Sequence, residues 1–326
     1  MASVGAQQGN GEENVIMSLP KERGWGAAPY FYLFQDFWCP SNYIQGVFNF
    51  QKFFQTKEDD VFVASFPKSG TTWLKALTFA IVKRQHFASV ENHPLLTSIP
   101  HALVPSPELT MDADIYDQIG HLSQMTEPRV VATHIPYPSL PKSIMESSSR
   151  IIYICRNPFD TFVSAWTFSS KANSASSASL TLEEAFEMFC KGIVYFGPWW
   201  SHMLSYWQES KTNPNKVLFL KYEDLKEDIN FQVKRIAEFL GCPFSEEEES
   251  NGVMESIIKL CSFEKMKDLD VNKFGSHFKI IDNKHFFRKA EIGDWINYFS
   301  PSMVEKLSKV IEQKLSGSGL SFKIQY

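Results

Sequence analysis

The 326-residue sequence predicts a single α/β domain with a central parallel β-sheet and helices on both faces. Three observations carry that prediction. Four short apolar runs, 61–66, 129–133, 150–155 and 216–221, have strand length and are rich in β-branched or aromatic residues. Helix-forming segments alternate with them, and no internal repeat interrupts the alternation, which is the pattern of a parallel sheet with helical crossovers. The chain is 44% hydrophobic with 28 phenylalanines, enough for a large core.

Taken in order, residues 1–18 are polar and read as a flexible tail, with residues 19–326 as the domain. The aromatic stretch 30–38 reads as edge packing, or as a flap over an apolar ligand. Residues 43–54 are amphipathic and predict a helix. Val61–Phe66 is the first central strand and ends at Pro67, which has no N–H for a sheet ladder. A polar loop follows, then a helix from about Thr72 through Val82. Residues 91–128, rich in Pro, His and Ser, are too long for an ordinary connection and predict a functional loop. The second strand ends at His134, a short helix with proline in its first turn covers 138–145, and the third strand, 150–155, is apolar enough to be buried on both faces. Pro158 opens a helix through Phe168. Ser169–Ser179 is a Ser/Ala-rich loop. Thr181 and Glu184 form a capping box for the helix through Cys190. Further helices cover 199–209, 231–240 (stopped by Gly241) and 302–315, and Tyr222 starts one directly after the fourth strand. Glu246–Glu249 is a solvated helix start.

A net charge of −5 argues against bulk attraction to nucleic acid or anionic membranes. Cys39, Cys155, Cys190, Cys242 and Cys261 show no metal-ligand spacing and read as buried free thiols of a reducing compartment. The N-terminus lacks the regions of a signal peptide, and no apolar run reaches membrane-span length, so a cytoplasmic location is expected.

In parallel sheets, ligands sit beyond the carboxyl ends of the strands. Lys68, His134, Arg156 and Tyr222 each follow a predicted strand end, so they should meet at one edge. In the loop, Lys68, Ser69, Gly70, Thr71 and Thr72 combine a cation, hydroxyls and a flexible residue at a helix N-terminus. Free N–H groups and the helix dipole suit an anion there. Lys68 precedes Gly70, whereas a nucleotide-triphosphate loop places lysine after its second glycine, which disfavours that class.

Phe66-Pro-Lys-Ser-Gly-Thr-Thr-Trp73, Arg156 with Ser164, and Phe287-Arg-Lys-Ala-Glu-Ile-Gly-Asp-Trp295, in that order over roughly residues 60–320, together resemble the cytosolic sulfotransferases. Leu19–Trp25 and Asn213–Phe219 resemble the plant branch. The resemblance implies 3′-phosphoadenosine 5′-phosphosulfate (PAPS) as donor, a small hydroxylated acceptor, and no metal. It places Lys68, Ser69, Gly70, Thr71, Thr72 and Trp73 on the 5′-phosphosulfate, with Trp73 near adenine. It further implies Arg156, Ser164, Arg288 and Lys289 on the 3′-phosphate, with Tyr222, Ser262 and Phe263 along the adenosine. His134 corresponds to the general base, and Lys68 to the cation at the departing oxygen. The other seven histidines read as ordinary. His101 and His121 lie where the long loop would cover the acceptor and are the weaker candidates.

Three positions depart from the family pattern. Ala132 stands two residues before His134, where animal members often carry lysine. Ala290 replaces the glycine of an Arg-Lys-Gly motif, which would shift or weaken donor binding if backbone approach needs glycine, although retained activity is expected. The C-terminal dimer motif survives only as Ile296–Glu305, without its lysine and with Pro301 at its centre, which predicts a monomer. The competing readings are a nucleotide-dependent small-molecule kinase, for which Asp160 and Asp224 sit in no metal-binding motif, and a catalytically impaired nucleotide-binding homologue. Segments 30–54, 91–128, 137–145, 168–200 and 272–287 should shape an apolar acceptor pocket. It would suit a flavonoid, another phenolic, a steroid, an oxylipin or a desulfoglucosinolate.

Overall fold

A computed structural model describes residue 16 and residues 18–87, 90–109, 120, 122–172, 180–277 and 281–324. Residues 1–15 and 17 of the expected tail, residues 110–119 and His121 of the long loop, residues 173–179 of the Ser/Ala-rich stretch and residues 278–280 of the segment 272–287 lie outside the described residues.

The chain begins with a feature that the sequence reading did not resolve into strands. β1 (Lys21–Arg23), β2 (Tyr30–Phe34) and β3 (Phe37–Pro40) form an antiparallel sheet. Gln35 and Asp36 turn the β2–β3 hairpin with φ of 47° and 65°. Both are left-handed, as a two-residue loop on twisted strands requires; the usual Asn-Gly signature is absent, so the turn was hidden. Phe31, Phe34 and Phe37 are buried in the main core. The aromatic stretch therefore packs as expected. Helix α1 (Ile44–Phe53) follows.

The central sheet consists of β4 (Val61–Ser65), β5 (Val130–Thr133), β6 (Arg150–Cys155) and β7 (Val217–Lys221), all parallel, in the order β5-β4-β6-β7. Val63 faces Ala132 on one side and Ile152 on the other, and Ile152 faces Leu218. Period-two alternation divides the side chains between two cores. Phe62, Ala64, Ile151, Tyr153 and Phe219 enter one, with helices α2 (Pro158–Ala172) and α3 (Trp199–Thr212). Val61, Val63, Ile152, Ile154 and Leu220 enter the other, packed on helices at Thr71–Lys83 and Ile229–Phe239. With helices on both faces, the four central strands are buried almost throughout, and each fully buried leucine or phenylalanine contributes about 1.5–3 kcal/mol. The predicted α/β architecture is the one observed.

Local signals hold where one short interaction decides them. Thr181 Oγ1 accepts the N–H of Glu184 at 3.2 Å, and Glu184 Oε2 accepts that of Thr181 at 2.9 Å. Ser245 caps the acidic helix Glu246–Ser250 in the same way. Gly241, at φ 69°, follows the helix that ends at Phe239. The consequence for function is that Ser65, Thr133, Cys155 and Lys221 end at a common sheet edge.

Candidate active site

The loop after β4 is built from two left-handed residues. Lys68 has φ 69° and Gly70 φ 108°, and the helix begins at Thr71 with no side chain capping its first turn. A Cβ at Gly70 would lie 2.7 Å from the Tyr222 ring, so this position needs glycine for space as well as for conformation. Left-handed turns of this kind aim successive backbone N–H groups into one concavity. Ser69 Oγ is buried without a hydrogen-bond partner among the described residues. Thr71 Oγ1 is 2.7 Å from Ser65 Oγ, and Thr72 Oγ1 is 2.9 Å from His101 Nε2. Lys68 Nζ stands 3.6 Å from the centroid of Phe168. Burial, with Arg288, Arg156 and Lys171 nearby, pushes its ammonium down to about 7.

His134, directly after β5, is fixed at three points. Its backbone N–H donates to Glu108 Oε1 at 2.7 Å. Its backbone carbonyl accepts from His202 Nε2 at 2.9 Å, and His202 Nδ1 in turn accepts from the Tyr153 hydroxyl at 2.9 Å. Its ring Nδ1 is 2.8 Å from the Ser65 carbonyl. A carbonyl oxygen only accepts, so Nδ1 carries the hydrogen and Nε2 keeps its lone pair. Burial, followed by the positive charge of Lys75, pushes the imidazole down to about 3, so the ring is neutral. Phe196, at φ 58°, packs its ring 5.8 Å from His134 and is held from behind by the hairpin, where its N–H donates to the Trp38 carbonyl at 2.9 Å.

On the far side, Arg156 lies 4.5 Å from the Tyr222 ring centroid, and its guanidinium also donates to the Glu291 carbonyl. Arg156 Nε is buried without a partner among the described residues. Tyr222 donates its hydroxyl to the Ala290 carbonyl at 3.0 Å. Arg288 and Lys289 both pair with the buried Asp294 at 2.6 Å. Asp160 ties this segment to the start of α2, accepting from the N–H groups of Gly293 at 2.9 Å and Trp295 at 3.2 Å. Asp160, one of the two acidic residues weighed for a kinase, is thus engaged in a structural role. Ala290 has φ 57°, so alanine here adopts the conformation that glycine would take.

These groups share one cavity of about 410 Å³. Lys68, Gly70, Thr71, Thr72, Trp73, His134, Arg156, Ser164, Tyr222, Ser262, Phe263, Arg288, Lys289 and Ala290 all line it. Ser69, expected on the phosphosulfate, is fully buried and is not among the residues lining this cavity. Trp73 and Tyr222 meet edge to face at 5.6 Å. Aromatic and apolar residues, among them Tyr43, Leu109, Phe168, Tyr195, Phe196 and Phe286, line the same cavity. The sequence reading did not single out Lys75, Glu108, Phe168, Lys171 or His202. Lys75 sits within a run read only as helix-forming, and Glu108 and His202 are polar residues whose burial no local pattern announces.

The loop, the strand-end histidine and the far cationic segment are assembled by a stretch that coincides with a known domain: the sulfotransferase domain matches residues 58–319. The chain belongs to the sulfotransferase family. It is similar to cytosolic sulfotransferase 15 of Arabidopsis thaliana, with 50% identity over 315 residues, covering 96% of this chain and 87% of that one. It is also similar to flavonol 4′-sulfotransferase of Flaveria chlorifolia, with 48% identity over 294 residues and 90% of each chain covered. Among solved structures, a mouse sulfotransferase complexed with PAP superposes with a TM-score of 0.67 at 30% identity, covering 88% of this chain and 95% of that one. The protein is accordingly a PAPS-dependent sulfotransferase. The site of this sulfotransferase fits such a donor. Gly70, Thr71 and Thr72 line one cavity with the cations Lys68, Arg156 and Arg288, and Arg156 Nε is buried there without a partner among the described residues. Among the described residues, no cluster of His, Cys, Asp or Glu is arranged to hold a metal ion, and no helix is long and apolar enough to cross a membrane.

Proposed function

We propose that this protein transfers the sulfuryl group of PAPS to a hydroxyl of a small aromatic or hydrophobic plant metabolite, with His134 as general base. The observation that carries the reading is the hydrogen bond from His134 Nδ1 to the Ser65 carbonyl, which leaves Nε2 as the basic atom of a ring lining the same cavity as Lys68. PAPS supplies an activated sulfur. His134 Nε2 takes the hydroxyl proton as the acceptor oxygen bonds to sulfur, while the sulfur–oxygen bond to the 5′-phosphate breaks. Lys68 and the N–H groups of the loop stabilise the negative charge that grows on that oxygen. Arg156, Ser164, Arg288 and Lys289 hold the 3′-phosphate, for which planar guanidinium groups are suited. Trp73, Tyr222, Ser262 and Phe263 flank the nucleoside.

The acceptor class follows from the apolar part of the cavity lining. Tyr43, Leu109, Tyr195 and Phe196, the last packed against His134, provide apolar and aromatic surface, which favours a flat or hydrophobic molecule. The flavonol named for one relative is of this kind. The relatives named cytosolic support the same location for this chain. The test is a screen of hydroxylated flavonoids, other phenolics, steroids, oxylipins and desulfoglucosinolates with purified protein and PAPS, reading products by mass. Sulfation of apolar aromatic acceptors is expected. Turnover confined to strongly polar acceptors would overturn the acceptor assignment, and no sulfated product alongside normal PAP binding would favour an impaired homologue.

A further inference from the structure

Lys75 lies on the helix that follows the loop, one turn beyond Thr72, and is only 1% exposed. A lysine buried so deeply requires polar partners. Its Nζ is 3.2 Å from His101 Nδ1 and 3.0 Å from Ser106 Oγ. On the other side of the ring, His101 Nε2 is 2.9 Å from Thr72 Oγ1. The ring is clamped by Phe286, whose centroid is 4.3 Å away.

The donor inventory of these groups gives the chain a direction. Burial pushes Lys75 down to about 7, and the carboxyl of Glu108 opposes that shift; in its ammonium form Nζ only donates, so His101 Nδ1 is then the acceptor. A neutral imidazole that accepts at Nδ1 carries its hydrogen on Nε2, and that hydrogen is donated to Thr72 Oγ1. The threonine hydroxyl then has its own hydrogen left for a different partner, and Thr72 lines the cavity at the mouth of the anion loop. With the opposite tautomer, the threonine would donate back to the histidine and present only lone pairs to an anion. Burial, reinforced by the Lys75 charge, keeps His101 well below its ordinary value, in agreement with a neutral ring.

We infer that Lys75 and His101 are positioning residues that fix the proton of Thr72, making its hydroxyl a pre-aimed hydrogen-bond donor to the phosphosulfate. This rests on the proposed donor site. Such a relay removes the need to reorient a hydroxyl when the anion arrives, which is the physical content of electrostatic preorganisation. Lys75 is also the cation nearest in effect to Glu108, the carboxylate that accepts the His134 backbone N–H. One buried charge thus supports both the donor loop and the strand-end histidine.

The test is a double-mutant cycle in PAP affinity, measured by calorimetry, with Thr72→Val, His101→Leu and the two combined. His101→Leu should weaken PAP roughly 10-fold, the scale of one hydrogen bond to a charged group. The same change in the Thr72→Val background should cost nothing further, and His101→Gln, whose amide can still donate, should stay within about 3-fold of wild type. An equal loss from His101→Leu in both backgrounds would overturn the relay. The Lys68→Ala variant separates the two readings. If it binds PAP normally, the donor site itself is wrong and the relay falls with it. If it loses affinity while the cycle is additive, the relay alone fails. In the unmodified protein, nitrogen NMR should find the hydrogen of His101 on Nε2. A hydrogen on Nδ1 would overturn the inference without any variant having to fold.

Discussion

The ring of His134 donates from Nδ1 to the main-chain carbonyl of Ser65, 2.8 Å away, linking the ends of two adjacent parallel strands. The carbonyl belongs to the last residue of β4, one strand over, so the tautomer of the histidine is set by a main-chain acceptor that the sheet register delivers, with Ser65 Oγ farther off at 3.4 Å.

Replacing His134 with alanine removes the proposed base while leaving the anion loop intact. Turnover is expected to fall by about 10²–10⁴, with PAP affinity within about 3-fold of wild type. Product quantification by mass and calorimetry with PAP check the two halves separately. Near-normal turnover would remove His134 from the role.

Lys68 is held near 7 by burial and by three neighbouring cations. An anion binds better to the charged lysine, so PAP affinity should be highest below pH 7 and weaken as pH rises through that value. The slope can reach one proton, or about tenfold per pH unit, until the raised value in the complex is passed. In Lys68→Arg, which stays charged, the dependence should flatten. A flat profile between pH 6 and 9 for the unmodified protein would contradict the assignment.

Ala290 occupies the left-handed region at φ 57°, at a cost of about 1–2 kcal/mol for a residue with a Cβ. The greater freedom of glycine in the unfolded chain offsets part of the gain. Ala290→Gly should therefore stabilise the fold by about 0.5–1 kcal/mol, read from denaturant unfolding. Because the backbone already follows the path that glycine would take, PAP affinity should change little. A large tightening would mean that the methyl group itself obstructs the donor.

Asp160 is buried, pairs with Arg156 at 3.5 Å, and receives the N–H groups of Gly293 and Trp295. Truncation to alanine leaves those donors and a guanidinium without their acceptor, at a cost of about 3–5 kcal/mol. It should also loosen the segment carrying Arg288 and Lys289, so PAP binding should weaken together with thermal stability. Loss of stability with wild-type affinity at low temperature would show that the segment is held elsewhere.

At the remnant of the dimer motif, Ser300 accepts the Met303 N–H and Pro301 occupies the first turn of the C-terminal helix. A proline there removes a backbone donor, and a monomer is expected by light scattering at micromolar concentration. A stable dimer would locate the interface in another part of the surface.

The four central strands, the helix starts at Pro158 and Thr181, and the loop around Gly70 were legible in the sequence because each depends on local pattern: alternation, a cap, or a residue with special backbone freedom. The hairpin at Phe34–Phe37 was not, because Gln35 and Asp36 adopt left-handed conformations without the residues that advertise them. His202 read as an ordinary histidine, yet it holds the carbonyl of His134 from 68 positions away.

The sequence by itself determined the strand ends, the loop after β4 and the family, since those are written in contiguous residues and their order. Only the tertiary structure decided which polar groups are buried together. The placement of Glu108 on the His134 backbone, of Asp160 on the 293–295 turn, and of Lys75 behind Thr72 arises from packing between segments far apart in the chain. A buried charge or amide is tolerated only where its partner is delivered, and the helices and loops that deliver those partners leave no periodic trace in the sequence.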